Sequence, residues 1–301
     1  MTDSGYETVF AEMFGFVQPH PTFGAALQAS EDPRAFRRGG VDFWNFKARV
    51  GAAFADVCDL VEFQHDPLFH FCTARDFGQD REALAAARSR APRWLERLLA
   101  VGDSPIGYRP GTIPTGACSV FHTRHAAQLA FLLHHIAPHR DPATLRIGEI
   151  GGGFGNFARL WGSAIGIHAW TILDMPFMTR LQRWFLHKTL PNVPQAAGAA
   201  PVATGLRWVD TEHRNEFVDE GPEFDVLIST HAWSELPRDE WLWYLHALLP
   251  RTRHLLYAAS NETPDPVESN WRLDRLAREM RVEDLYHTHG RSTVTALFTA
   301  K

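Results

Sequence analysis

The stretch Leu145–Asn156 (LRIGEIGGGFGN) constrains this chain more than any other. An apolar run ends at Glu149, and Gly151, Gly152, Gly153 and Gly155 crowd the residues that follow. Glycines there let the backbone bend with positive φ and let a ligand approach without Cβ interference. A helix starting just after them points its free amide donors at that ligand and favours an anionic group. The dinucleotide fingerprint G-x-G-x-x-G would need a third glycine at the position of Asn156. The pattern is instead E-x-G-x-G-x-G, so a nicotinamide dehydrogenase is the weaker rival.

From Leu145 onward, short apolar runs alternate with helical stretches. Strands are expected near 145–150, 169–173, 206–209, 224–229 and 253–259, with helices near 155–164, 176–188 and 238–249. This alternation predicts βαβ units and a mostly parallel sheet. The C-terminal VEDLYHTHGRSTVTALFTA reads as two strands around a short turn, an antiparallel hairpin. Gln195–Thr204 is Ala/Gly/Pro-biased and reads as a surface loop.

The residues before 141 read as helical: bulky apolar positions over Val41–Phe63, good helix formers over Gln79–Val101 with Pro92 starting a new helix or kinking one, and an apolar stripe over Ser119–Ala137. Tyr108–Gly116 reads as a loop. The division expected is therefore a helical part, 1–140, ahead of a Rossmann-like part, 141–301.

The glycine turn resembles motif I of class I S-adenosylmethionine (SAM) methyltransferases. EIGGGFGNFARL, then ILDMP, then LISTHAWSELPRDEWLWYL is more narrowly similar to a bacterial family of sugar O-methyltransferases, over roughly Leu145–Leu249. The resemblance implies an α/β fold, a mostly parallel Rossmann-like sheet finished by the antiparallel hairpin. It implies SAM as cofactor and a small-molecule acceptor, the hydroxyl of a sugar or glycosylated natural product. An N- or C-methyltransferase acting on another small metabolite is the alternative, and a non-catalytic SAM-fold partner protein is a further one.

In a doubly wound sheet the ligand lies at the carboxyl ends of the strands. Glu149, Gly151 and Gly153 at the first strand's end are the expected cofactor contacts. Asp174 follows about twenty residues past the glycines, a spacing that suits a carboxylate accepting from ribose hydroxyls, with helix capping as the alternative. Asp210 or Thr211 would meet the adenine amine, and Thr230 closes the fourth strand at the cleft rim. A hydroxyl nucleophile must lose its proton during attack, and a histidine titrates in the right range. His231 is the expected general base, with Glu235 orienting it or bonding the acceptor; the alternative is that Ser234 and Glu235 cap the next helix. Trp233 could face the sulfonium, although core packing competes. His122, Arg124 and His125 sit on the helix expected to cover the pocket, where they would contact substrate.

A formal net charge of -5 with basic residues spread through the chain gives no nucleic-acid footprint. No apolar run is long enough to span a bilayer, and the N-terminus lacks a signal-peptide layout. Cys58, Cys72 and Cys118 are far apart and read as reduced thiols, so a cytoplasmic setting is expected. The His122/His125 and His65/His70/Cys72 groups lack compact zinc spacing, so no metal is expected. Homodimerisation is left open.

Overall fold

A computed structural model describes residues 63–65, 80–108, 118–197, 203–260, 266–288 and 293–301. Eight strands form one sheet: β1 (Arg146–Ile150), β2 (Ala169–Asp174), β3 (Gln195–Ala197), β4 (Gly205–Asp210), β5 (Phe224–Thr230), β6 (Thr252–Ser260), β7 (Met280–Thr288) and β8 (Thr293–Ala300). Their order is β3-β4-β2-β1-β5-β6-β8-β7. Every neighbouring pair is parallel except the two that involve β8, which runs antiparallel to both β6 and β7. The sequence builds outward from β1 to β2 and β4, then returns to β1's other side with β5 and β6. That reversal opens a crevice at the carboxyl ends of β1 and β5, where doubly wound sheets bind ligands. The mostly parallel Rossmann-like fold with a terminal antiparallel hairpin is thus observed.

Alternating strand residues feed two cores, as pleating requires. Ile147, Trp170, Ile172, Val226, Ile228 and Leu256 face one layer. That layer holds α1 (Arg81–Arg90), α2 (Pro92–Leu99), α3 (Val120–Ile136), α4 (Asn156–Ala164) and α5 (Pro176–Thr189). Ile150, Leu173, Leu227, Leu255 and Tyr257 face the other. There lie α6 (Arg214–Asp219), the single turn α7 (Ala232–Glu235), α8 (Arg238–Leu248) and α9 (Pro266–Glu279). The helices before β1 share one continuous core with α4 and α5.

Local chemistry sets the helix starts. Pro92 occupies the first turn of α2, where its missing N–H costs nothing. Ser119 caps α3 by accepting from the His122 amide at 3.0 Å, and Asp103 holds the Ser119 hydroxyl at 2.9 Å.

Two expectations need correction. Gln195–Ala197 is not loop but an edge strand paired with Leu206–Trp208. Ser234 and Glu235 do not cap α8, whose N-cap is Pro237; they close the separate turn α7. The helical reading of 41–62, the loop over 109–116 and the His70/Cys72 group lie outside the described residues.

Candidate active site

The glycine turn follows β1 directly. Gly151, Gly153 and Gly155 have φ of 70°, 55° and 97°, a region that non-glycine residues enter at a cost. The turn is also crowded from both sides. A Cβ on Gly151 would stand 2.1 Å from Ala232 Cβ, and one on Gly152 would stand 2.8 Å from Ile172 Cγ2. Gly151 N–H donates to Leu173 O at 2.9 Å, which ties the turn to the end of β2. Gly155 caps α4 and has no side chain to occupy the helix's first amides. Those donors are left for a ligand or solvent.

Three acidic groups approach the turn. Asp174, at the end of β2, accepts from Met175 N–H at 2.8 Å and from Gln182 Nε2 at 2.7 Å. Burial pushes its carboxyl up to about 7, against hydrogen bonds from Met175, Gln182 and the Gly152 amide that lower it. The helix-cap alternative fails, because Met175 is the N-cap of α5. Asp210, at the end of β4, has Oδ1 2.5 Å from the Thr179 hydroxyl, and Thr211 opens the short 3-10 turn after it. Glu149, expected among the cofactor contacts, is 2% exposed and accepts from Trp170 Nε1 at 2.8 Å. Burial pushes it up to about 8, so it is largely a neutral acid at pH 7.

β5 ends at Thr230, half-buried, and the next residue carries the backbone anomaly. His231 has φ 72° and ψ -46°, the one positive-φ non-glycine among the described residues. Such a conformation costs roughly 1–3 kcal/mol and persists only when the surroundings dictate it. They do: His231 N–H donates to Ala258 O at 2.8 Å, while its carbonyl accepts from Glu235 N–H at 3.2 Å and the Ser234 hydroxyl at 2.6 Å. Glu235 is exposed, and desolvation by neighbouring protein raises its carboxyl above the ordinary value. Trp233 departs from the sulfonium expectation. It is 0% exposed, stacks on Trp241 at 5.3 Å and donates to Trp241 O at 3.0 Å. It packs the core and does not face the cleft.

α3 covers the turn. His125 is buried, its ring 4.0 Å from Phe121 and 4.2 Å from Phe157, with Nδ1 3.1 Å from Asn156 Nδ2 at the start of α4. His122 is fully buried on the same helix, 3.5 Å from an Arg159 Nη2. Arg124 Nε donates to Asp80 Oδ2 at 2.9 Å, which pins α3 to the N-cap of α1. Sequence reasoning missed Gln182, which bridges Asp174 and Gly153 O. It also missed Arg159, which is 5% exposed and donates to Asn156 Oδ1 at 3.0 Å and to Gly102 O at 2.7 Å. No group of three or more His, Cys, Asp or Glu able to hold a metal occurs among the described residues. Cys118 is a free, half-buried thiol. No described helix is long and apolar enough to cross a membrane.

No family model matches the sequence, and none of the curated proteins matches it. Solved structures do resemble it in outline. Magnesium protoporphyrin IX methyltransferase (ChlM) from Synechocystis PCC 6803 with bound SAM aligns with TM-score 0.43 at 11% identity, over 75% of this chain and 98% of its own. The mitomycin 7-O-methyltransferase MmcR aligns with TM-score 0.39 at 15% identity, over 71% and 68%. The 16S rRNA methyltransferase RmtF in complex with S-adenosyl-L-homocysteine aligns with TM-score 0.42 at 13% identity, over 100% of both chains. These proteins differ from one another in acceptor, so the functional reading is drawn from this chain's own residues.

Proposed function

We propose that this chain is a SAM-dependent methyltransferase that transfers methyl to a hydroxyl of a sugar or glycosylated natural product. The observation that carries the proposal is the join between the glycine turn and the His231 turn. Gly151 packs directly on Ala232, so a residue held in a costly conformation stands beside a turn built for a ligand, at the sheet's switch point.

The cradle fits SAM. The glycine turn brings bare backbone to the ligand's side of the cleft, and the uncapped α4 amides would meet the cofactor's carboxylate. Asp174 would accept from the ribose hydroxyls, with Gln182 holding it in place; Asp210 or Thr211 would meet the adenine. Gly153 and Thr230 would meet the same ligand from the ends of β1 and β5. SAM, when bound, supplies an electrophilic methyl carbon and a thioether leaving group.

The chain's own work is alignment and proton removal. His231 takes the acceptor's hydroxyl proton as the oxygen attacks, and Glu235, one turn later, holds the acceptor or the imidazole. Glu235 supports a second reading for the base, because its raised carboxyl also exchanges protons near neutrality. The residues before 141 would complete the acceptor pocket through α3, in a cytoplasmic protein with no nucleic-acid partner.

The test is methyl transfer from labelled SAM to a panel of sugar hydroxyls, with His231→Ala and Glu235→Gln. His231 as base predicts a loss of about 100-fold or more in kcat for His231→Ala with SAM affinity kept. Turnover that survives in His231→Ala and collapses in Glu235→Gln would move the base to Glu235. Full activity in both, on an amine or carbon acceptor, would refute O-methylation.

A further inference from the structure

The amide of Asn156 is clamped between two partners, and donor rules leave it one orientation. Arg159 can only donate, so the atom of Asn156 that meets Arg159 Nε at 3.0 Å must be the carbonyl oxygen. The other end of the amide, Nδ2, is then a donor facing His125 Nδ1 at 3.1 Å. That nitrogen must carry a lone pair rather than a hydrogen. The imidazole hydrogen is left on Nε2.

We infer that Arg159 and Asn156 are positioning residues that lock His125 as a neutral Nε2–H donor over the glycine turn. We further infer that this donor receives an oxygen lone pair of the acceptor substrate. The fixed tautomer stands on the hydrogen-bond chain alone; the ligand half rests on the methyltransferase reading. Each link is rigid. Asn156 opens α4 directly behind the Gly155 cap, and Arg159, one turn along, is anchored again on Gly102 O at 2.7 Å. Phe121 and Phe157 pack against the His125 ring at tilts of 55° and 51°, and 6% of the residue stays open.

The charges around His125 act in the same sense. Arg124 and His122 on α3, Arg159 on α4 and His231 after β5 all oppose a second proton on the ring, and burial opposes it most. His125 is therefore no general base, because the lone pair a base would use is committed to Asn156. It complements His231: one imidazole removes the hydroxyl proton while the other steadies an oxygen of the same acceptor. Asn156, where a dinucleotide fingerprint would place its third glycine, thus gains a role that glycine could not perform.

The experiment is long-range 1H–15N NMR on the full chain with ring-15N histidine, His125 being assigned by its absence in His125→Gln. The account predicts a pyridine-type Nδ1 and a pyrrole-type Nε2 that do not titrate from about pH 8 to about pH 6. Asn156→Asp turns the donor into a carboxylate that accepts from both neighbours, so Nδ1 should become protonated. With that variant at saturating SAM, kcat/KM for the acceptor should fall about tenfold, the worth of one hydrogen bond.

A wild-type His125 that titrates normally, or holds its hydrogen on Nδ1, overturns the lock, and the wild-type spectrum decides this even if Asn156→Asp does not fold. A confirmed tautomer with unchanged kcat/KM in a folded Asn156→Asp overturns the ligand half. Failure of SAM to bind the wild type would remove the methyltransferase reading while the spectrum still reported on the lock.

Discussion

Gly151→Ala isolates the contact on which the site depends. Two costs add. An L-residue in the left-handed region costs about 1–2 kcal/mol, and Gly151 sits there at φ 70°. Overpacking costs about 1–3 kcal/mol, and the new Cβ would begin 2.1 Å from Ala232 Cβ. The sum is roughly 2–5 kcal/mol, or a fall of about 5–15 °C in Tm for a domain of this size. Gly221→Ala is the matched control: its φ is 74°, and a Cβ there meets nothing within 4 Å. It should cost about 1–2 kcal/mol, the backbone share alone. Adding Ala232→Gly to Gly151→Ala removes the clash but not the φ cost, so the pair should be non-additive by about 1–3 kcal/mol. Thermal unfolding followed by circular dichroism reads the wild type, Gly151→Ala, Gly221→Ala, the double variant and the Ala232→Gly reference that the cycle requires. SAM affinity should fall in Gly151→Ala and hold in Gly221→Ala. Equal Tm losses in the two single variants, with additive behaviour in the double, would refute the packed join.

Burial of two acids sets a pH dependence whose sign is fixed. Asp174 moves from an ordinary 3.8 to about 7 and Glu149 from 4.5 to about 8. Between those limits the folded chain holds protons that the unfolded chain has lost, so their contribution is complete below about pH 4 and is lost as pH rises to about 8. Asp174→Asn should flatten the lower part of that fall in a series of melts; an unchanged slope would contradict a buried, protonated Asp174. Ribose hydroxyls favour the ionised carboxylate, so SAM affinity should rise as pH passes 7. Trp233→Phe should cost about 1–3 kcal/mol of stability, as lost core volume, and leave SAM affinity intact. A tenfold loss of affinity in a folded Trp233→Phe would return the indole to the cleft.

The parts of this molecule that depend on local pattern were legible in the chain. Five of the six parallel strands, the glycine turn, the break at Pro92 and the terminal hairpin all follow from short-range periodicity and turn chemistry. What was not legible comes from pairing at long range. Asp80 is 44 residues from Arg124 and claims it; His125 and Asn156 are 31 apart. Trp233 sits in a segment that the resemblance assigns to the cleft, and only the packing of Trp241, Tyr244 and Tyr257 around it shows that it points into the core. Gln195–Ala197 is too short and too small in its side chains to signal a strand; β4 recruits it through backbone pairing. Glu149 reads as a site residue because it ends an apolar run; its bond from Trp170, 21 residues on, is set by the pairing of β1 with β2 and has no local signal.

The central claim is that the turn between β1 and α4 holds SAM. Calorimetric titration of the purified chain with SAM and S-adenosylhomocysteine, with NADH as control and Asp174→Asn in parallel, tests it most directly. The account predicts binding of the first two at about micromolar Kd, none of NADH, and at least about tenfold weaker binding in Asp174→Asn, the loss of a charge-assisted hydrogen bond. A well-folded wild type that binds neither SAM nor S-adenosylhomocysteine, or that prefers NADH, would contradict it.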